Sequence, residues 1–309
     1  SDLPHLINPD RGWIATSNNR VAPDDFPHLL FGCWSSGYRA LRIRQMIEAQ
    51  AKHSAEDMGL MHQDAKSLRA EQCVPSLVQA LKSSDAPRIL EAANLLEQWD
   101  YHIAADSVPA TLFNVFYANW CKVVAAERFD RQCVELMTQG VQSCAGRLLA
   151  SDPAGWFLQG NREARIVETF ATTLDELASK LGPEMQNWHW GHLHRMPSKH
   201  VLSSRGDLGE LLNHGGAPVR GDMMTVCNTG SGPDFSATSG AGYRLIADFA
   251  KDTPVLLAID GQSQSGHPGS PHYSDQFADW EHGRYHEIPL LREAAESSAQ
   301  PKLQLNPVG

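Results

Sequence analysis

Two adjacent side-chain amides, Asn18 and Asn19, follow the short apolar run Trp13-Ile14-Ala15 and the polar pair Thr16-Ser17. A carboxamide held at a strand end can aim its N–H at an oxygen that turns negative in a transition state, and it brings no net charge. Paired asparagines also build turns by bonding their own backbone, so both readings stay open. Twenty residues on, Arg39 closes Trp34-Ser35-Ser36-Gly37-Tyr38-Arg39 at the start of an expected helix. Its planar fork of donors suits a carboxylate or a catalytic loop, and equally a structural salt bridge or backbone clamp.

Other groups invite different chemistry. His189, His192 and His194, with His200 nearby, could supply the three protein ligands of a catalytic zinc. No His-Glu-x-x-His accompanies them, and the interleaved Trp188 and Trp190 suit a packed segment. Ser1 could act as a nucleophile with its own α-amine as base, or could simply open a fragment; Pro4 is poorly suited to a central strand. Gly230-Ser231-Gly232 lacks the spacing of a nucleophile elbow. The loop Gly261-Gln262-Ser263-Gln264-Ser265-Gly266 is no P-loop; its polar groups fit a self-bonded buried loop or the wall of a substrate channel.

These groups need elements to hold them. Residues 13–15 are expected to form a short strand with a polar loop after it. Leu41, Ile43, Met46 and Ile47 share one side of an expected helix over 38–50. Helical patterning also covers 54–82, 87–98, about 108–149 and about 161–181, with Asp152-Pro153-Ala154-Gly155 as a break. Beyond His200, glycines punctuate apolar stretches, and 223–227, 243–249 and 254–259 are expected strands, antiparallel neighbours of one another. The order strand, helices, strands calls for a layered α+β fold whose earlier sheet strands lie on another segment.

Composition narrows the partners. A 309-residue chain with 42% hydrophobic residues can bury a large core, and its formal charge of -10 gives no field for a polyanion, so nucleic acid is not expected. No stretch approaches the eighteen apolar residues of a membrane span, and the opening Ser-Asp-Leu-Pro-His-Leu has neither the basic region nor the apolar run of a secretory signal. Six cysteines without a Cys-x-x-Cys are compatible with free thiols or with a few disulfides.

Taken in order, several short motifs resemble one family. They are Asn8-Pro-x-x-Gly12-x-Ile14-x-x-x-Asn18-Asn19-Arg20, Asp24-Asp25-Phe26-Pro27, and Trp34…Tyr38-Arg39-Ala40-x-Arg42-Ile43. Further on come Trp188-x-Trp190-Gly191-x-x-His194, Gly221-Asp222…Thr225, Tyr243-Arg244, Gly261-Gln262-Ser263 and His272-Tyr273-x-Asp275-Gln276…Trp280. Together they resemble the penicillin acylase family of N-terminal-nucleophile hydrolases, from about residue 4 onward.

The resemblance implies an α+β chain forming part of a four-layer αββα sandwich with a long helical middle section. It implies that 1–309 is the C-terminal part of a β-subunit catalytic domain: 1–36 a strand and catalytic loop, 37–200 mainly helical, 201–309 strands and loops completing the core. Its partners would be an autoprocessed α chain and the N-terminal part of the β chain carrying the nucleophilic serine, acting on a small N-acyl compound. Asn18 matches the family's oxyanion asparagine, and Arg39 its arginine near the catalytic groups. No catalytic cofactor is implied; a structural calcium is, with Asp24 and Asp25 in its neighbourhood and its ligands unassigned. The family's location implies a periplasmic or secreted protein. The rival readings are a metal-dependent amidohydrolase built on His189, His192 and His194, and a catalytically inactive binding relative.

Overall fold

A computed structural model describes residues 2–157, 161–250 and 253–298; Ser1 lies outside them. In chain order the helices are α1 (Tyr38–Glu48), α2 (Ala55–His62), α3 (Leu68–Leu81), α4 (Pro87–Glu97), α5 (Val108–Ala126), α6 (Val134–Gly140), α7 (Gln142–Ala150), α8 (Arg162–Leu181) and α9 (Trp190–Leu193), followed by α10 (Leu208–Leu212), α11 (Phe277–His282) and α12 (Arg292–Ser298). The strands are β1 (Arg195–Ser198), β2 (His214–Pro218), β3 (Thr229–Ser231), β4 (Ala237–Gly240), β5 (Tyr243–Asp248), β6 (Val255–Asp260) and β7 (His286–Ile288). They form small sheets, β1-β2, β3-β4 and an antiparallel β5-β6-β7. The fold is mixed α and β, with no described helix long and apolar enough to cross a membrane.

The chain divides into two compact units, one of residues 1–49, 64–197 and 216–240, the other of 50–63, 198–215 and 241–309. In the first, α8 shows why the helical middle folds: Ile166, Phe170, Leu174 and Leu177 recur at helical spacing and are buried. They meet α5, whose Phe113, Phe116 and Trp120 are fully enclosed. Ser67 and Ser107 start α3 and α5 by accepting from the backbone N–H three residues on, at 3.1 and 3.2 Å. In the second unit β5 and β6 pair in register from Tyr243 opposite Asp260 to Asp248 opposite Val255. There Trp280 closes the core, donating to the Ala241 carbonyl while Arg244 stacks on its ring at 4.5 Å.

Several expected elements differ. Residues 13–16 have no ladder partner and are not a strand; Asn19 instead makes an isolated parallel bridge with Ser35. The expected helix over 54–82 is two, because the chain turns at 63–67 to place the Ser67 cap. The tract at 108–149 is three helices, broken after Ala126 and again at Gly140. Residues 223–227 are a turn rather than a strand: the Asp222 carboxylate accepts from the Met224 N–H at 2.6 Å, and the Asp222 N–H donates to Thr225 Oγ1 at 3.0 Å. All six thiols are free, with Cys73 and Cys121 buried.

That turn carries the main buried ion pair. Arg69 of α3 donates to Asp222 at 2.6 Å and to Asn114 of α5 at 3.0 Å, with all three residues buried. Removing one partner of such a pair strands a buried charge, at a cost of about 3–5 kcal/mol. Asp222→Ala should therefore lower the unfolding free energy by that order in urea denaturation. Arg69→Met with Asp222→Asn, which removes both charges and keeps an acceptor for the turn, should recover most of the loss. Equal destabilisation by the single and double variants would show that the pair is not what holds the turn.

Three imidazoles set a pH dependence. Burial pushes His194, His62 and His214 below the usual imidazole range; for His62 the nearby Arg244 adds to the effect. A folded pKa below the unfolded one means that the unfolded chain binds more protons once pH falls below about 6.5, so acidification draws the protein toward unfolding. Urea midpoints measured from about pH 7.5 down to about pH 5.5 should fall, and His194→Gln should flatten the slope. A midpoint that does not move over that window would contradict it.

Candidate active site

The two asparagines divide the roles that the sequence left open. Asn19 makes the local turn: its Oδ1 accepts from the Ser17 N–H at 3.1 Å and its Nδ2 donates to the Arg20 carbonyl at 3.0 Å. Asn18 occupies the left-handed region at φ 63°, which asparagine tolerates better than most residues. Its carbonyl is fixed by the Ser35 N–H at 2.8 Å. Its side chain is exposed and accepts from Arg39 Nη2 at 3.1 Å through Oδ1. A guanidinium has no acceptor, so the amide oxygen faces Arg39 and the amide N–H groups face away. Asn18 is thus a rigid, neutral donor with its orientation set from behind.

Arg39 stands in the first turn of α1, where the helix dipole disfavours a cation. Its Nη2 also donates to Ser35 Oγ at 3.4 Å, and its Nε–H is buried without an acceptor among the described residues. Burial pushes its pKa down. Such a placement serves an interaction rather than the helix. Gly37, at φ 83°, lets the chain enter α1 just before it.

Since α1 buries no residue, polar anchors hold it. Arg42 grips Asp64 through Nε and Nη2 at 2.9 and 2.7 Å, a two-pronged bond. Tyr38 donates to Gln72 at 2.6 Å, and Ser36 meets Met224 Sδ at 3.3 Å. Beside these lies an open concavity of about 610 Å³, lined in part by Asn19, Arg20, Trp34, Ser36, Tyr38 and Arg147. The sequence reading singled out Asn18 and Arg39 but missed Ser35, Gln72 and Asp64. The segment Trp34-Ser35-Ser36-Gly37 was its signal for the first; nothing local marks the other two.

His189 and His192 stack at 5.2 Å, but the three histidines do not form one group. His194 is fully buried, with Nδ1 against the Phe235 carbonyl and Nε2 against Thr229 Oγ1, both at 2.9 Å. Its ring stacks on Trp190 at 4.6 Å, and His192 Nδ1 is engaged by the Asn187 carbonyl at 3.0 Å. A ligand needs a free ring nitrogen, and His194 has none, which removes the three-histidine zinc site as drawn from sequence. The described residues hold no group of three His, Cys, Asp or Glu able to grip a metal. Asp24 is ion-paired with Arg20.

The loop after β6 bonds to itself. Ser263 Oγ accepts from the Gln276 N–H at 2.9 Å, Gln276 Oε1 from the Asp260 N–H at 3.1 Å, and Gln264 donates to Asp260 at 2.8 Å.

Comparison with known proteins follows the same residues. The penicillin amidase family model matches residues 1–297. The acyl-homoserine lactone acylase QuiP of Pseudomonas aeruginosa is 26% identical over 326 residues, covering 93% of this chain and 38% of that protein. The penicillin acylase 2 proenzyme of Pseudomonas sp. (strain SE83) is 30% identical over 299 residues, covering 90% of this chain and 36% of that protein. The chain thus spans well under half the length of these curated relatives. Among solved structures, a thermostable penicillin G acylase from Alcaligenes faecalis superposes with a TM-score of 0.64 at 14% identity, over 99% of this chain and 59% of that one, a likeness of fold. With a family model matched along nearly its whole length, the chain belongs to the penicillin amidase family of N-terminal-nucleophile hydrolases.

Proposed function

We propose that this chain is the C-terminal part of the β chain of an acylase that hydrolyses the amide bond of an N-acyl compound, and that Asn18 is an oxyanion donor. The observation that carries this reading is the Arg39–Asn18 bond, which turns the Asn18 amide donors outward from a fixed backbone. A terminal serine on a partner segment attacks the substrate carbonyl carbon, and its own α-amine takes the hydroxyl proton. The carbonyl oxygen becomes negative as the tetrahedral intermediate forms, and Asn18 Nδ2 with a partner backbone N–H receives that charge. The amine leaves with the proton, and water then releases the acyl group as a carboxylic acid by the same steps.

Arg39 is the positioning residue. Its orphan Nε–H offers a second bond that the partner segment completes. In this reading the small sheets contribute to an αββα sandwich whose other strands come from the partner chains, and the assembled enzyme is periplasmic or secreted. A structural calcium in the assembled enzyme belongs to this reading, its ligands unassigned. Exposed Ile7, Leu29 and Phe31 support a cover over residues 2–36, since a cluster of large apolar side chains left in water is unusual.

The test begins at Asn18. Because glycine accepts φ 63°, Asn18→Gly keeps the backbone and removes only the amide. In the assembled enzyme kcat should fall about a hundredfold or more, equivalent to roughly 3–4 kcal/mol of transition-state stabilisation. Arg39→Ala should lower kcat as well, and the double variant should be little worse than Asn18→Gly alone, because Arg39 acts through Asn18. Near-normal kcat in Asn18→Gly would end the assignment; strictly multiplicative losses would separate Arg39 from it.

A further inference from the structure

A second cavity, of about 310 Å³, shares no lining residue with the concavity beside Asn19. Its size falls at the lower end of the roughly 300–1,000 Å³ usual for small-molecule sites. It lies among α5, α6 and the 222–224 turn, and its walls divide by chemistry. Trp190, Phe235, Met223 and Met224 make an apolar side, and Arg69 with Asn114 a polar one. The methionines add a flexible, polarisable surface that can shape itself to a tail.

The charges are uneven. Arg69 and Lys122 are positive, and Asp222 is the single carboxylate in the lining. Burial pushes the Tyr117 phenol and the Cys121 thiol up, the latter to about 12, so both line the cavity as neutral groups. Lys122 is exposed at the rim and donates to the neutral Asn119 amide at 3.2 Å; Glu176, the carboxylate that feels its charge, already binds Lys180 at 2.8 Å. Arg69 satisfies Asp222 and Asn114 through Nη2 alone. Its Nε–H is buried from solvent and has no acceptor among the described residues. A buried donor without a partner is a cost that a ligand oxygen would relieve.

We propose that this cavity binds a small amphipathic carboxylate, its tail against Trp190, Phe235 and the two methionines and its head toward Arg69 and Lys122. One surplus positive charge matches a monoanion, whereas a phosphate dianion would leave charge uncompensated and an ammonium would meet repulsion. The site does not depend on the catalytic reading, since none of its residues takes part in that mechanism.

Calorimetric titration of the intact protein with octanoate tests this, with octylammonium as the charge-reversed control. The expected result is saturable one-to-one binding of octanoate and none of octylammonium. Lys122→Glu, at an exposed position, and Ala118→Trp, which fills the cavity, should each weaken octanoate by about tenfold or more, with unchanged unfolding midpoints showing that both fold. Asn18→Gly should bind octanoate as the parent does. No octanoate binding, equal binding of octylammonium, an unaltered isotherm in Ala118→Trp, or loss of binding in Asn18→Gly would each overturn the proposal. Since the last variant is also the one that silences catalysis, the two readings fail separately.

Discussion

The contact between Arg69 and Asp222 is the constraint on which the first unit depends. Burial opposes a charge on Arg69, yet its pKa is raised overall, Asp222 being the largest of the contributions that favour the charge. The pair ties α3 to a turn some 150 residues away and takes α5 with it through Asn114. Around the turn further polar groups are engaged: Trp190 Nε1 donates to the Gly221 carbonyl at 3.1 Å, and the Cys227 N–H to the Asp64 carbonyl at 2.8 Å. Gly221, at φ 83°, has no room for a side chain, since a Cβ would lie 2.1 Å from the Cys227 carbonyl oxygen. A buried ion pair is weak evidence for stability but strong evidence for a unique arrangement when its lone pairs are filled in this way.

From that hub a polar relay reaches the asparagine. Asp64, fixed by its own backbone bond to Cys227, grips Arg42 of α1; Met224 of the turn touches Ser36; Gln72 of α3 receives Tyr38. These set the start of α1, and from there Arg39 and Ser35 set Asn18. Precision at the amide therefore comes from directional bonds rather than from close apolar packing. This suits a helix whose apolar side is left uncovered on this chain, with Leu41 half exposed.

What could be read from sequence follows from the range of the interactions. Helices α1, α4 and α8 and strands β5 and β6 were legible because their patterning and breakers are local, as with the 3.6-residue spacing of Ile166, Phe170 and Leu174. The turn at 222–225 was misread as a strand because Met223, Met224 and Val226 look apolar, while what decides the conformation is an aspartate bonding its own backbone and an arginine 153 residues distant. The small strands β3 and β4 were missed because Thr229-Gly230-Ser231 and Ala237-Thr238-Ser239-Gly240 carry little β patterning; their pairing is set by the sheet, not by propensity. Asn18 and Arg39 entered through family resemblance, and chemistry alone left the asparagine pair undecided. The distinction between Asn18 and Asn19 depends on which amide oxygen meets Arg39, a fact of tertiary geometry.

In the proposed reading, the same geometry bears on why an oxyanion amide is placed on an uncovered edge. Large side chains at 2–36 stand in water, Leu29 at 89% and Phe31 at 96% exposure, while the 64–197 core closes tightly around Trp120 and Trp188. The Arg39 Nε–H, buried without an acceptor among the described residues, is a further unmade interaction close in sequence to that stretch. The apolar groups lie on the stretch that carries Asn18, and the unmade bond belongs to Arg39, which bonds the Asn18 amide. In the proposed assembly, covering that stretch would supply apolar burial and an acceptor for Arg39 in a single event, so that docking of a partner segment and completion of the oxyanion site would be one step. On that reading, an amide fixed in advance by the Arg69–Asp222 framework would not need to be organised by the partner, which would bring the nucleophile to a donor already aimed.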